Sequence, residues 1–449
     1  MTDRDQGERA DLIVTTLLEA FEPLMVADPH GFRTKFRKMA RDPFAFYRGT
    51  ACLFYADVGE GGRFAGFDAD WVDEESSRVW IQGDLHAENF GTYLDADGRL
   101  VFDVNDFDEA YLGHWTWDLA RFVASLALLC WQKALPDDVI DALVAAYVRA
   151  YADQVEHYRE VADDTGWALT LDTAEGAVLD SLHRAKLATR FAMLESMTVV
   201  EDHARRFADA PGVRRLDDDE AGRVRDAFER YRRTLPERRQ DVVTFDVLDA
   251  VGRSGFGIGS AGLPAYSILI EGFTQALDND VVLSMKQGNV AAPSRVVRDE
   301  RGYGYFDHHG HRTAISQRAL QAHADRFLGW TSLPGGDGGD VGYVVSEVSP
   351  YEADLSWGEV SEPDDLAVLV PQLGRATAKI HCVADTESDQ DLVTVSVEEA
   401  VGRCIGGEVD ALVEVLTSFA HDYAHRARED HQLFVDAFRG GAFEHVAPA

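Results

Sequence analysis

The feature that most narrows what this chain can fold into is a pair of short segments, Gly83-Asp84-Leu85-His86-Ala87-Glu88-Asn89-Phe90-Gly91 and Val101-Phe102-Asp103-Val104-Asn105-Asp106-Phe107-Asp108. A carboxylate, an amide shortly after it and a second carboxylate beyond a Gly-containing hairpin can be drawn together by one tight loop and one turn. The pattern predicts short strands over Thr92–Leu94 and Leu100–Val104 joined by a turn at Asp95-Ala96-Asp97-Gly98, which returns Asp106 towards Asp84. Val79–Ile81 reads as the strand that delivers Gly83-Asp84. Three oxygen-bearing side chains so placed meet the demands of phosphoryl transfer: a carboxylate to take the proton of an attacking hydroxyl, and hard oxygen ligands to hold magnesium on nucleotide phosphates. On this reading Asp84 is the base, and Asn89 and Asp106 are metal ligands.

The run Gly-Asp-Leu-His-x-x-Asn, the apolar strand ending in Asp-Phe-Asp, and Trp117-Asp118-Leu119-Ala120 together resemble the aminoglycoside phosphotransferase branch of the protein-kinase-like superfamily. More closely, Phe44-Ala45-Phe46-Tyr47-Arg48-Gly49, Gly83 to Gly91 and Asn105-Asp106-Phe107-Asp108-Glu109 resemble the uncharacterised prokaryotic family called domain of unknown function 2252. That resemblance runs over most of the chain and carries no settled substrate. It implies a kinase-like fold with ATP and Mg²⁺ as cofactors, and for Asp118 a structural role, bracing the catalytic loop from the following helix.

A second constellation begins at residue 251. Val251-Gly252-Arg253-Ser254-Gly255-Phe256-Gly257-Ile258-Gly259-Ser260-Ala261-Gly262 is glycine-rich, and Gly257, Gly259 and Gly262 have the GxGxxG spacing, with Ser260 among them. In a dinucleotide fold a helix would follow. Here a strand follows, Tyr266–Ile270, then a turn at Asp278-Asn279-Asp280 and a further strand, Val281–Lys286. Strand, glycine loop, strand, turn and strand ending in Lys match the small lobe of a kinase, with Lys286 set to pair with the α- and β-phosphates. An ammonium at the end of an apolar strand needs a partner. The next helix is expected at about Ile315–Phe327, with Gln317, Arg318 and Gln321 where a Glu would be sought. Either Gln317 substitutes by a neutral hydrogen bond, or Glu347, in the strand Tyr343–Val348, pairs with Lys286.

Composition excludes several classes. The net charge of −36, from 79 acidic against 43 basic residues, repels nucleic acid and anionic membranes. Lysine is confined to Lys35, Lys38, Lys133, Lys186, Lys286 and Lys379, a balance that resembles the proteins of salt-in halophiles, in which salt screens self-repulsion. No apolar run approaches the ~20 residues that span a bilayer, and Met1 to Glu8 is polar and acidic rather than a signal peptide, so a cytoplasmic location is expected. Cys52, Cys130, Cys382 and Cys404 lie far apart, without a CxxC pair, and read as buried thiols.

Residues 9–40 read as helical with interruptions near Pro23 and Pro29, closed by the basic cluster Arg33 to Lys38, which we read as helix-terminal cations rather than a phosphate contact. Arg48 either meets a phosphate or anchors a carboxylate of the Asp84 loop. His86 reads as a structural hydrogen-bonder. Trp115, Trp117, Leu119, Phe122, Leu126 and Leu129 mark a core helix. Residues 137–240 read as almost entirely helical, with the Arg pairs at 214–215, 232–233 and 238–239 on solvated faces. Asp307-His308-His309-Gly310-His311 reads as an exposed β-turn rather than a metal site.

Gln372 to His381 resembles the helix that precedes the catalytic loop in aminoglycoside phosphotransferases, yet here it lies near the end of the chain. The expected architecture is therefore an α+β, protein-kinase-like two-lobed fold, circularly permuted, with added helices. Its expected parts are residues 1–135 and 136–245 (catalytic-loop and helical regions of the large lobe), 246–350 (nucleotide-clamping small lobe) and 351–449 (helices completing the large lobe). The expected function is ATP- and Mg²⁺-dependent phosphotransfer to a hydroxyl of a small-molecule acceptor. The alternatives are a catalytically silent nucleotide-binding module and transfer of AMP. Expected site residues are Asp84; Asn89 and Asp106; Gly257, Gly259, Ser260, Gly262, Lys286 and Glu347; and, in supporting roles, Arg48, His86, Asp108, Asp118 and Gln317.

Overall fold

The computed structural model describes residues 3–161, 165–239, 243–253, 263–298, 300–335, 339–386, 388 and 390–445. Helix α1 (Asp3–Ala27) buries Ile13, Leu17, Phe21 and Met25, one apolar stripe at helical spacing. Pro23 sits inside it, and the chain breaks only at Asp28-Pro29, where Asp28 caps α2 (Pro29–Met39) through the Gly31 amide at 2.8 Å. Asp42 likewise caps α3 (Pro43–Arg48), and α4 (Ala51–Val58) follows. Then come β1 (Val79–Ile81), β2 (Phe90–Leu94), β3 (Leu100–Val104) and β4 (Tyr111–Gly113). β1 pairs antiparallel with β4, and β2 with β3, Phe90 opposite Val104 and Leu94 opposite Leu100. The turn between β2 and β3 has Gly98 at φ 81°, with the Asp95 carboxylate accepting from the Asp97 and Arg99 amides. Helices α5 (Trp115–Gln132), α6 (Asp137–Glu160) and α7 (Gly176–Leu187) follow, and α5 is buried on nearly every face.

The next region is less helical than the almost entirely helical stretch expected over 137–240. After α8 (Arg190–Met197), strands β5 (Thr198–Glu201) and β6 (Ala204–Phe207) form a hairpin, and β7 (Val213–Arg215) precedes α9 (Asp218–Arg232). Thr198, Val199 and Val200 are β-branched, and Asp202 and His203 at the hairpin tip both have positive φ, local chemistry that favours strand over helix. Arg214 and Arg215 lie on β7, not on a helix face, and pair with Glu220 and with Asp209 and Asp249.

β7 then joins a six-stranded antiparallel sheet of order β11-β12-β10-β9-β8-β7, built with β8 (Val247–Arg253), β9 (Ala265–Ile270), β10 (Val281–Gln287), β11 (Gly329–Pro334) and β12 (Asp340–Glu347). The sheet therefore draws on residues from Val213 onwards, upstream of the expected boundary near 246. Helix α9 packs Phe228 and Tyr231 against Ile268, Leu283 and Val345 to make a core separate from that of the amino-terminal helices. Between β10 and β11 lie α10 (Glu300–Tyr305) and α11 (His309–Gln321). The helix expected at 315–327 thus begins earlier and ends where Ala322 takes φ 58°. His308 caps it by accepting from the His311 amide, so the histidine cluster is a helix start rather than a β-turn. Among the described residues no three His, Cys, Asp or Glu side chains form a ready metal site.

The chain returns to the larger core through β13 (Ala353–Asp354), which pairs with β2, and helices α12 (Pro363–Cys382), α13 (Val397–Ile405) and α14 (Val409–Arg439). α12 packs along α6, and α14 along α1 and α5. Arg9 of α1 is buried and forks between Asp57 (2.5 and 2.7 Å) and Asp430 of α14 (2.5 and 3.0 Å), while Tyr423 donates to Asp57 at 2.9 Å. This network ties the first helix to the last. The four cysteines are free thiols, three of them buried. Among the described residues no helix is long and apolar enough to cross a membrane.

Candidate active site

The loop after β1 is held from three directions. Gly83 has φ 84°, and a Cβ there would lie 2.2 Å from the Glu109 carbonyl, so only glycine fits. Asp118 of α5 accepts from the backbone amides of Gln82 (2.7 Å) and Gly83 (2.9 Å). Its carboxylate is also 3.2 Å from Nε2 of His381 on α12, whose Nδ1 pairs with the Tyr151 hydroxyl at 2.9 Å. Gln82 joins the two motif segments: its Oε1 accepts from the Asp84 amide (2.8 Å), and its Nε2 donates to the carbonyls of Asp106 (2.6 Å) and Asn105 (3.2 Å). Asn89 donates to the Asp84 carbonyl at 3.0 Å and accepts at its own carbonyl from Asn105 N at 3.0 Å.

The carboxylate of Asp84 meets Arg121, which is fully buried on α5; Arg121 Nε donates to Asp84 Oδ1 at 2.6 Å. Arg121 also donates to the Tyr47 carbonyl (3.1 Å) and lies over the Tyr47 ring. Burial drives the Asp84 carboxyl up to about 7, Glu109 and Asp106 adding to the rise and Arg121 opposing it. His86, beside it, is buried and held well below its ordinary value by desolvation and by Arg48 and Arg121, so it is neutral; its Nδ1 accepts from the Glu88 amide at 3.2 Å. Arg48 pairs with Glu88.

Asp106 occupies the left-handed region, φ 55°, ψ 71°, a conformation Asp tolerates better than most side chains and one that clusters at functional sites. Burial and the neighbouring Asp108 raise its carboxyl, while Lys286 and Arg48 oppose the shift. Lys286, on β10 between β9 and β12, forms its ion pair with Asp108. Neither Gln317 nor Glu347 takes that role: Gln317 donates to Gln321 at 3.0 Å, and Glu347 pairs with Arg190 at 2.5 Å. Desolvation works against the Lys286 ammonium, but Asp108 and Asp106 leave it above its ordinary value. Arg312 of α11, buried, donates to the carbonyls of Asp108 (2.7 Å), Asn289 (3.0 Å) and Ala110, pinning the segment after Asp106.

These pieces surround a cleft of about 400 Å³ between the sheet and the β2–β3 hairpin, lined by Arg48, Glu88, Asn89, Asp106, Asp108, Lys286, Gln317 and Glu347 among others. Its far wall is acidic. Asp325 accepts from the amides of Glu347 (2.7 Å) and Phe327 (2.9 Å). Burial together with Asp325 raises Glu347 to about 7, and burial with Asp325, Glu347 and Asp354 raises Glu352 to about 8. Carboxylates so outnumber the lining cations, Arg48 and Lys286, that the cleft calls for added positive charge. Asp106, Asp108 and Asn89 supply the oxygen donors that a hard divalent cation takes, and a Mg²⁺ that completes its shell from substrate phosphates needs only one or two carboxylates. The residues present fit such an ion.

Asp84 lines a smaller, adjoining cavity instead of the main cleft, and Arg48 lines both. Gly257, Gly259, Ser260 and Gly262 lie outside the described residues; β8 and β9, on either side of them in sequence, are paired with Arg253 opposite Ala265. Sequence reading passed over Gln82, Arg121, Arg312, Asp325 and Glu352. Arg121 had a legible signal: a guanidinium in an otherwise apolar helix is buried, and a buried charge demands a partner.

Fold and site together define a mixed α and β protein whose carboxylate-rich cleft holds one strand-borne lysine. The chain belongs to the domain of unknown function 2252 family, described as uncharacterized protein conserved in bacteria, whose model matches residues 27–437. No curated protein and no solved structure matches it.

Proposed function

We propose that this chain is an ATP- and Mg²⁺-dependent phosphotransferase with a circularly permuted kinase-like fold, acting on a hydroxyl of a small-molecule acceptor. The observation that carries the reading is the meeting, in one cleft, of Lys286 from β10 with Asn89 and Asp106 from the other motif. Two further observations support it. His381, on the helix that precedes the catalytic loop in the fold's usual order, lies against Asp118 beneath that loop. The first and last helices pack together, as a permutation requires.

In this reading Lys286 and backbone amides of the glycine-rich sequence 254–262 hold the nucleotide phosphates. Asn89 and Asp106 would hold Mg²⁺, which when bound offsets phosphate charge. Asp84, near neutrality in its acid–base balance, takes the proton of the acceptor hydroxyl as its oxygen bonds to the terminal phosphorus and the ADP oxygen leaves. Arg121 fixes the Asp84 carboxylate and steadies its charge; Asp118 and Gln82 hold the loop that carries it.

One observation favours a second reading, a silent nucleotide-binding module: Asp84 is engaged by Arg121 and lines the small cavity rather than the main cleft. Turnover separates the two. Following γ-phosphate release from ATP, the phosphotransferase reading expects slow release by the wild type, loss of release in Asp84→Ala with nucleotide binding kept, and loss of both in Asp106→Ala. Nucleotide binding without release in the wild type would favour the silent module.

A further inference from the structure

A small cavity lies beside Asp84. It measures about 30 Å³ and is bounded by Lys35, Arg48, Cys52, Asp84, Glu109 and Arg295, with Phe21 beside them. Lys35 comes from the basic cluster of α2 but, unlike Arg37 at the exposed end of that helix, is only 3% exposed. Its ammonium makes no hydrogen bond or ion pair among the described residues; it lies 3.9 Å from the centroid of the Phe21 ring and 5.4 Å from that of Phe32. The other charged groups around the cavity are engaged. Asp84 is held by Arg121, Arg48 by Glu88, Glu109 by the Ala292 amide, and Arg295 by the carbonyls of Glu19 (3.5 Å) and Ala20 (3.3 Å).

A buried ammonium without a partner is costly, and here desolvation lowers Lys35 to about 8 in spite of Cys52, Glu109 and Asp84 nearby. An incoming oxyanion would remove that cost. With Arg121 opposite Asp84 and Glu88 opposite Arg48, the cations Lys35 and Arg295 outweigh the remaining carboxylate, Glu109. A cavity of about 30 Å³ exceeds the ~10–15 Å³ that one water needs, so it suits a single charged group rather than a whole metabolite. Arg48 lines this cavity and the main cleft alike, so the two lie on either side of one side chain.

The geometry points to an oxyanion subsite, in which Lys35, with Arg295 and Arg48, takes the carboxylate or phosphate of the phosphoryl acceptor. The acceptor is then a small hydroxylated acid or phosphomonoester whose hydroxyl reaches Asp84. This assignment of acceptor class rests on the phosphotransferase reading; the anion site itself does not.

The test is calorimetric titration of the full chain, without nucleotide and at constant ionic strength, with inorganic phosphate and separately with acetate. The expected result is saturable binding of at least one of them to the wild type, weakened roughly tenfold or more in Lys35→Met. Lys35→Met should melt no lower than the wild type, because it removes an unpaired buried charge. Arg295→Met, on a different segment, should weaken the same anion. Binding of phosphate alone assigns a phosphomonoester acceptor, and binding of acetate alone a carboxylate. If neither anion binds the wild type, or if both variants bind as the wild type does, the subsite is wrong. Titrating the wild type with Mg²⁺-ATP scores the nucleotide reading separately: failure there with the anion result intact leaves an anion site and removes the acceptor assignment.

Discussion

Asp84→Asn should shift this protein's stability relative to the wild type by an amount that rises with pH. Burial lifts the Asp84 carboxyl from its ordinary 3.8 to about 7. Its side chain is only 16% exposed, so solvent screening discounts little of this. A folded-state value above the unfolded one means that the folded protein holds the extra proton between about pH 4 and pH 7. Stability tied to this group is therefore fully present below pH 4, is lost as pH rises to 7, and stays lost above it. About three pH units at ~1.4 kcal/mol each give a cost of ~4 kcal/mol at pH 8. Asn mimics the protonated acid and keeps an acceptor for Arg121 Nε, so it escapes the pH-dependent cost, but it leaves the buried Arg121 guanidinium without a counter-charge, an offset of opposite sign that does not change with pH. The stability of the variant relative to the wild type, read from urea transitions of both, should therefore rise by about 2.5 kcal/mol between pH 5 and pH 8. A relative stability that is equal at the two pH values, or that falls, would refute this account of the Asp84 environment. The variant should also lose turnover, because it lacks the base.

Three other perturbations follow from the same geometry. Lys286→Met should weaken Mg²⁺-ATP binding roughly tenfold to a hundredfold by calorimetry with the fold intact by circular dichroism; unchanged affinity would remove Lys286 from the phosphate site. Arg9→Met leaves Asp57 and Asp430 buried without their shared cation and should cost about 3–5 kcal/mol in urea unfolding; a loss under about 1 kcal/mol would mean that the first helix is not anchored to the last in this way. With a net charge of −36, the melting temperature should climb steadily from 0.1 M to 2 M KCl as self-repulsion is screened, and a flat or falling profile would count against adaptation to high salt.

The strands and turns around the motifs were legible because their cues are local: alternation, a Gly-containing turn, a lysine closing an apolar run. β1, β2, β3, β9, β10 and β12 lie within a few residues of where those cues put them. What was not legible depends on contacts across the chain. The partner of Lys286 is Asp108, 178 residues upstream, whereas Gln317 and Glu347, the nearer candidates, found Gln321 and Arg190. Helix periodicity in residues 137–240 hid strands β5 to β7, whose β-branched and positive-φ residues carry the stronger signal. Gln82 is an ordinary amide in sequence; only the fold shows it stitching Asp84 to Asp106. The raised carboxyls of Glu347 and Glu352 arise from burial and from Asp325 beside them, which no spacing reveals.

The most direct measurement is calorimetric titration of the purified chain with ATP, with and without Mg²⁺. Because carboxylates dominate the cleft around Asp106 and Asp108, the account predicts saturable binding that appears only when Mg²⁺ is present. Equal binding without the metal, or no binding in either condition, would contradict it.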